Sequence, residues 1–108
     1  MGDLGLEPQE LHPLLVSLES ALSQQLPELS ASLQAQASPE VMHRQLHALK
    51  GLAGLMASPD LLSAITRADD AWRVRNRDLG LKLTPDLINA LQRWLEETRA
   101  WLQRYSSD

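Results

Sequence analysis

His47, Lys50 and Gly51 stand at i, i+3 and i+4 in the run Leu46-His47-Ala48-Leu49-Lys50-Gly51-Leu52-Ala53-Gly54-Leu55-Met56. A helix turns by about 100° per residue, so Lys50 falls about 60° to one side of the histidine and Gly51 about 40° to the other. Glycine inside a helix costs roughly 1 kcal/mol relative to alanine. Gly51 and Gly54 both fall on the face that carries His47. A helix that accepts two such residues beside an imidazole keeps the space above the ring clear.

One chemistry open to an exposed histidine is to accept and pass on a phosphoryl group, and that has three physical requirements. The attacking nitrogen must be exposed and unprotonated, and an imidazole in water, with a pKa of about 6.5, is mostly neutral at pH 7. The other ring nitrogen should donate a hydrogen bond, which fixes the tautomer and leaves the reactive lone pair pointing outward. The incoming group carries about two negative charges, so a nearby cation lowers the cost of holding it. Lys50 suits that role. Gly51 and Gly54 would let another protein's active site close over the ring.

Those residues need a scaffold, and the leucines outline one. Leu11, Leu14, Leu15, Leu18 and Leu22 recur at helical spacing, which predicts a first helix from Pro8 to about Gln25. Pro13 sits near its first turn, whereas Pro27 should kink or restart it, with a second helical stretch through Leu29 and Leu33. Ser38-Pro39-Glu40 reads as a helix start, with a capping serine, a proline at the first position and an acid in the first turn. The helix it opens should run to about Met56, with Met42, Leu49, Leu52, Ala53 and Met56 inward, Leu46 at the flank, and Gln45 unexplained near the stripe's centre.

Ser58-Pro59-Asp60 repeats the signal and opens a helix to about Asn76, with Leu61, Leu62, Ile65, Ala68 and Trp72 inward. Arg77 to Lys82 then reads as a connection containing Gly80, and Thr84-Pro85-Asp86 as a third cap. The last helix should reach about Tyr105, with Leu87, Leu91, Trp94, Leu95, Trp101 and Leu102 inward. Strand-like alternation and hairpin dipeptides are absent. Short connections between amphipathic helices predict an all-α, up-and-down antiparallel bundle.

Composition narrows the classes. A chain of 108 residues holds one domain with one core. We expect a polar N-terminal segment over residues 1–7, frayed or foreign to the fold, and a single helical bundle over 8–108. There is no cysteine, which excludes disulfides, thiolate metal sites and cysteine nucleophiles. The net charge is −4 with no basic run, which argues against nucleic acid as a partner. No apolar stretch approaches the roughly 20 residues of a membrane span, so no direct membrane contact is expected.

The run from His47 to Gly54 resembles the signature of histidine-containing phosphotransfer (HPt) domains, roughly Ala-His-x-Leu-Lys-Gly-x-Ala-Gly. His47, Leu49, Lys50, Gly51, Ala53 and Gly54 match it, whereas Leu46, Leu52, Leu55 and Ala57 depart from it. The resemblance covers Leu46 to about Arg75 and, beyond that, only the bundle architecture. It implies a four-helix bundle with an additional N-terminal helix. The implied function is that of a phosphorelay module without kinase activity of its own, and without a cofactor or metal. His47 would be the phosphoacceptor, Lys50 would stabilise the phosphoryl charge, and Gly51 would give steric access. The family often places Gln or Glu about 22 residues past the histidine; Asp69 holds that position here and would orient the imidazole. The implied partner is the receiver domain of a response regulator or hybrid sensor histidine kinase. The implied location is the cytoplasm, either free or as the C-terminal domain of a membrane-bound hybrid kinase.

Plainer readings compete. His43 and His47 at i, i+4 also have metal-ligand spacing, but no third ligand signature accompanies them. The arginines at 67, 73, 75 and 77 interleave with Asp69, Asp70 and Asp78, which reads as a solvated helix end with local ion pairs. The alternative function is a non-catalytic helical interaction or dimerisation module that uses Leu52, Ala53 and Leu55, with His47 incidental.

Overall fold

The leucine spacing yields four helices in the computed structural model, which describes residues 8–54 and 58–106. They are α1 (Pro8–Gln34), α2 (Pro39–Ala53), α3 (Pro59–Arg73) and α4 (Arg77–Ser106). Each packs on its chain neighbours and α1 closes the ring against α4, giving an all-α four-helix bundle about 47 Å long. Its core is a leucine ladder from α1 (Leu11, Leu15, Leu18, Leu22, Leu26, Leu29) joined by Met42, Leu46 and Leu49, by Ile65 and Trp72, and by Leu87, Leu91 and Leu95.

Two of the three cap signatures act as caps. The Ser38 hydroxyl accepts from the Val41 N–H and the Ser58 hydroxyl from the Leu61 N–H, both at 3.4 Å, each with proline at the start of the helix. The ends of α1 and α3 close without glycine. Gln36 and Arg75 take left-handed φ of 56° and 61°, and the next N–H of each reaches back to Ser32 O and Ala71 O. The positive φ at Arg75 accompanies an ion pair at 2.6 Å with Glu40, joining the end of α3 to the start of α2.

Three expectations are corrected. No additional N-terminal helix exists among the described residues, because α1 runs unbroken through Pro27. Pro27 is exposed, so its missing N–H releases only the Ser23 carbonyl, while Leu22, Leu26 and Leu29 stay in register on the core. Residues 77–82 are helical, and Thr84-Pro85-Asp86 lies inside α4. Thr84 is fully buried there; its hydroxyl donates to Gly80 O at 2.6 Å and accepts from Trp72 Nε1–H at 2.9 Å. Finally, α2 ends at Ala53 with Gly54 as its C-cap, short of the expected end near Met56; Leu55 and Met56 themselves lie outside the described residues. So does the expected N-terminal segment 1–7.

On the seam opposite α2 and α3, Arg99 of α4 donates to Glu19 at 2.7 Å and to Ser23 at 2.8 Å on α1. The Arg99 hydrogen bond holds the Glu19 carboxyl below its ordinary pKa. That tie supplies stability above the ordinary carboxylate range and loses it as pH falls through the lowered value.

Candidate functional site

The four buried residues of α2, Met42, Leu46, Leu49 and Ala53, define which way the helix faces. With the stripe centred between Leu46 and Leu49, Gln45 moves to the flank that meets α1. Its Nε2 donates to Ser32 Oγ at 2.9 Å, the partner the sequence left unexplained. Ala53 is in the core, so the interaction surface suggested for the alternative reading loses a member. The other flank carries His43, Lys50, His47 and Gly54, and it meets α3.

His47 stands near the middle of α2 with its side chain 69% exposed. Gly51, one turn on, is also exposed, and a Cβ built there would meet nothing within 4 Å. Its glycine identity is therefore not required by packing. Gly54 caps the helix with an ordinary right-handed φ of −61°, and its Cβ would make only normal contact. Lys50 is half-buried, less solvated than the sequence suggested, and among the described residues it makes no ion pair.

Asp69 comes from α3, in the first turn before Trp72. The sequence offers two places for it, a solvated, ion-paired helix end or a position beside the imidazole; it is buried and turned toward α2. The ion pairs of that region are Arg73 with Asp70 and Arg75 with Glu40. Asp69 faces two imidazoles. Its Oδ1 lies 2.5 Å from His43 Nδ1 and its Oδ2 lies 3.6 Å from His47 Nδ1. The first is a hydrogen bond. The second is not yet one, since N–H donors bond at about 2.7–3.2 Å. An ionised carboxylate only accepts, so the proton of the short contact sits on His43 Nδ1. The two rings have centroids 5.7 Å apart and are tilted by 45°.

Thus α2 and α3 bring together His47, Lys50, Gly51 and Asp69, and add His43, which the sequence reading left at the margin. The i, i+4 relation to His47 was visible; the direction in which the flank faces was not. Among the described residues no group of three or more metal-ligating side chains is placed to hold an ion.

Of the site residues, His47 and Gly51 are exposed, whereas Asp69 is buried. Grooves of about 490 Å³ between α1 and α4, along Ser23, Pro27 and Arg99, and of about 430 Å³ near Val74 and Leu79, do not include His43, His47 or Asp69.

The sequence profile of the Hpt domain family matches residues 9–101. No curated protein and no solved structure matches the chain. Among the described residues no helix is long and apolar enough to cross a membrane.

Proposed function

Since the chain belongs to the Hpt domain family, and is therefore a phosphotransfer intermediate of a phosphorelay, we propose that His47 is its phosphoacceptor. Hpt domains interact with receiver domains, and the exchange partner proposed here is a receiver-domain aspartate, with phosphate moving to or from it. The chain carries the group within a single bundle over residues 8–108 and has no kinase activity of its own.

The step balances on the chain's own residues. The Nε2 lone pair of His47 forms the N–P bond. The P–O bond to the receiver's aspartate breaks, and its electron pair leaves with that carboxylate. The proton on Nδ1 stays, so the ring becomes positively charged as the bond forms. Asp69 Oδ2 faces that nitrogen and stabilises the charge. Lys50 offsets the phosphoryl charge from the same flank, and Gly51 leaves the partner room to approach.

The observation that carries this reading is the pairing of an exposed ring on mid-α2 with a buried carboxylate on its Nδ1 side. An imidazole held that way presents Nε2 to solvent. Incubation with receiver domains charged on aspartate by acetyl phosphate tests it. Acid-labile, base-stable phosphate on this chain is the expected result, and its absence with every receiver tried would overturn the reading.

A further inference from the structure

His43 is the residue beside the site that phosphotransfer by His47 leaves without a task. Its side chain is 36% exposed, yet it makes the closest polar contact that Asp69 has among the described residues. A carboxylate 4% exposed is costly unless donors reach it. His47 at 3.6 Å does not supply a formed bond, so His43 Nδ1–H is the donor that holds Asp69 in its buried place. A carboxylate is planar. Fixing Oδ1 against His43 therefore fixes where Oδ2 points, and it points at His47 Nδ1.

We propose that His43 is a positioning residue: by donating Nδ1–H to Asp69 Oδ1, it aims Oδ2 at His47 Nδ1 and keeps His47 in the tautomer whose Nε2 is nucleophilic. The proposal rests on the reading of His47 as phosphoacceptor. The geometry adds a division of labour between the histidines. Both rings turn Nδ1 toward one carboxylate, but His43 is drawn into the helix seam by the short bond, whereas His47 remains over open solvent. His43 acts through Asp69 and takes no phosphate. If it is removed, Asp69 can rotate, and the proton on the His47 ring is free to move to Nε2, the nitrogen that must attack.

The test is nitrogen-detected NMR of the His47 ring, with phosphotransfer rates, in the wild type, His43→Asn and His43→Leu. The measurement is made at a pH where both imidazoles are neutral. The asparagine amide N–H sits where Nδ1–H sat, so His43→Asn should keep the Nδ1–H tautomer of His47 and a near-wild-type rate. His43→Leu packs on the flank but cannot donate; it should shift the tautomer toward that of free imidazole and slow transfer by at least about tenfold. Should His43→Leu fold poorly, the asparagine variant decides by itself, because loss of the tautomer there overturns the proposal. An unchanged tautomer in folded His43→Leu overturns it too. A wild-type chain that shows the expected tautomer pattern but accepts no phosphate would support the positioning and overturn the phosphotransfer reading.

Discussion

Asp69 turns Oδ2 to within 3.6 Å of His47 Nδ1 while its Oδ1 is bonded to His43. The carboxylate is buried, and its residue sits on the face of α3 that packs against α2. Asp69→Ala removes both the negative charge behind the ring and the cost of burying it. Stability should stay within about 1 kcal/mol of wild type, because deleting a desolvated ion offsets the lost hydrogen bond. Transfer should slow by roughly tenfold, about 1.4 kcal/mol in the barrier. Wild-type rates in a folded Asp69→Ala would remove the carboxylate from the account.

Gly51 and Gly80 are both helical glycines, and substitution should move them in opposite directions. A Cβ at Gly51 meets nothing within 4 Å, so Gly51→Ala should raise stability by up to roughly 1 kcal/mol. Gly51→Gln should leave the fold intact and slow transfer, because its side chain would project beside the ring that a partner must reach. Melts and transfer rates on the same samples check both, and unimpaired transfer by Gly51→Gln would refute the steric role.

At Gly80 a Cβ would fall inside the Trp72 indole, closer than real Cβ atoms approach. That ring is also held by its bond to Thr84. Gly80→Ala should lower stability by about 1–3 kcal/mol despite alanine's better helix propensity, since overpacking outweighs it. Denaturant melts check this. A Gly80→Ala as stable as Gly51→Ala would mean that Trp72 can shift at no cost.

These two glycines also mark how far the sequence could be read. Period and composition were enough for the helical bundle, and Ser38 and Ser58 announced real caps. Thr84-Pro85-Asp86 carries the same local chemistry, yet it lies inside α4. Its hydroxyl is spent on Gly80 O and the Trp72 indole, a tertiary pairing that no local pattern encodes. Gly80 read as a connection for the same reason: its need is the indole it touches, not a turn. Pro27 read as a break because proline lacks an N–H, but on an exposed side of α1 that loss is cheap beside the leucines that continue through it. At the site, the face shared by His47 and Gly51 was legible from spacing. That Asp69 is buried and holds His43 more closely than His47 was not, because it depends on how α2 and α3 are rotated against each other.

Lys50 lies on the flank toward α3, half-buried and without an ion pair among the described residues. Its ammonium is therefore available to an incoming anion. Lys50→Ala should slow transfer by about tenfold, on the order of 1.4 kcal/mol in the barrier, with the melting temperature near wild type. Lys50→Arg should recover part of the loss. Added salt should narrow the gap between wild type and Lys50→Ala, since screening acts over about 10 Å at 0.1 M. A Lys50→Ala that transfers at the wild-type rate at low salt would exclude the charge role.

The central claim is that phosphate enters this chain at His47. The most direct measurement locates acid-labile phosphate after incubation with a phosphorylated receiver domain, in the wild type, His47→Gln and His43→Asn. The His47 side chain is 69% exposed, so its replacement should leave the bundle folded. Phosphate is expected on the wild type and on His43→Asn, mapped to the His47 ring, and none on His47→Gln. Phosphate retained by a folded His47→Gln, or mapped to the His43 ring, would contradict it.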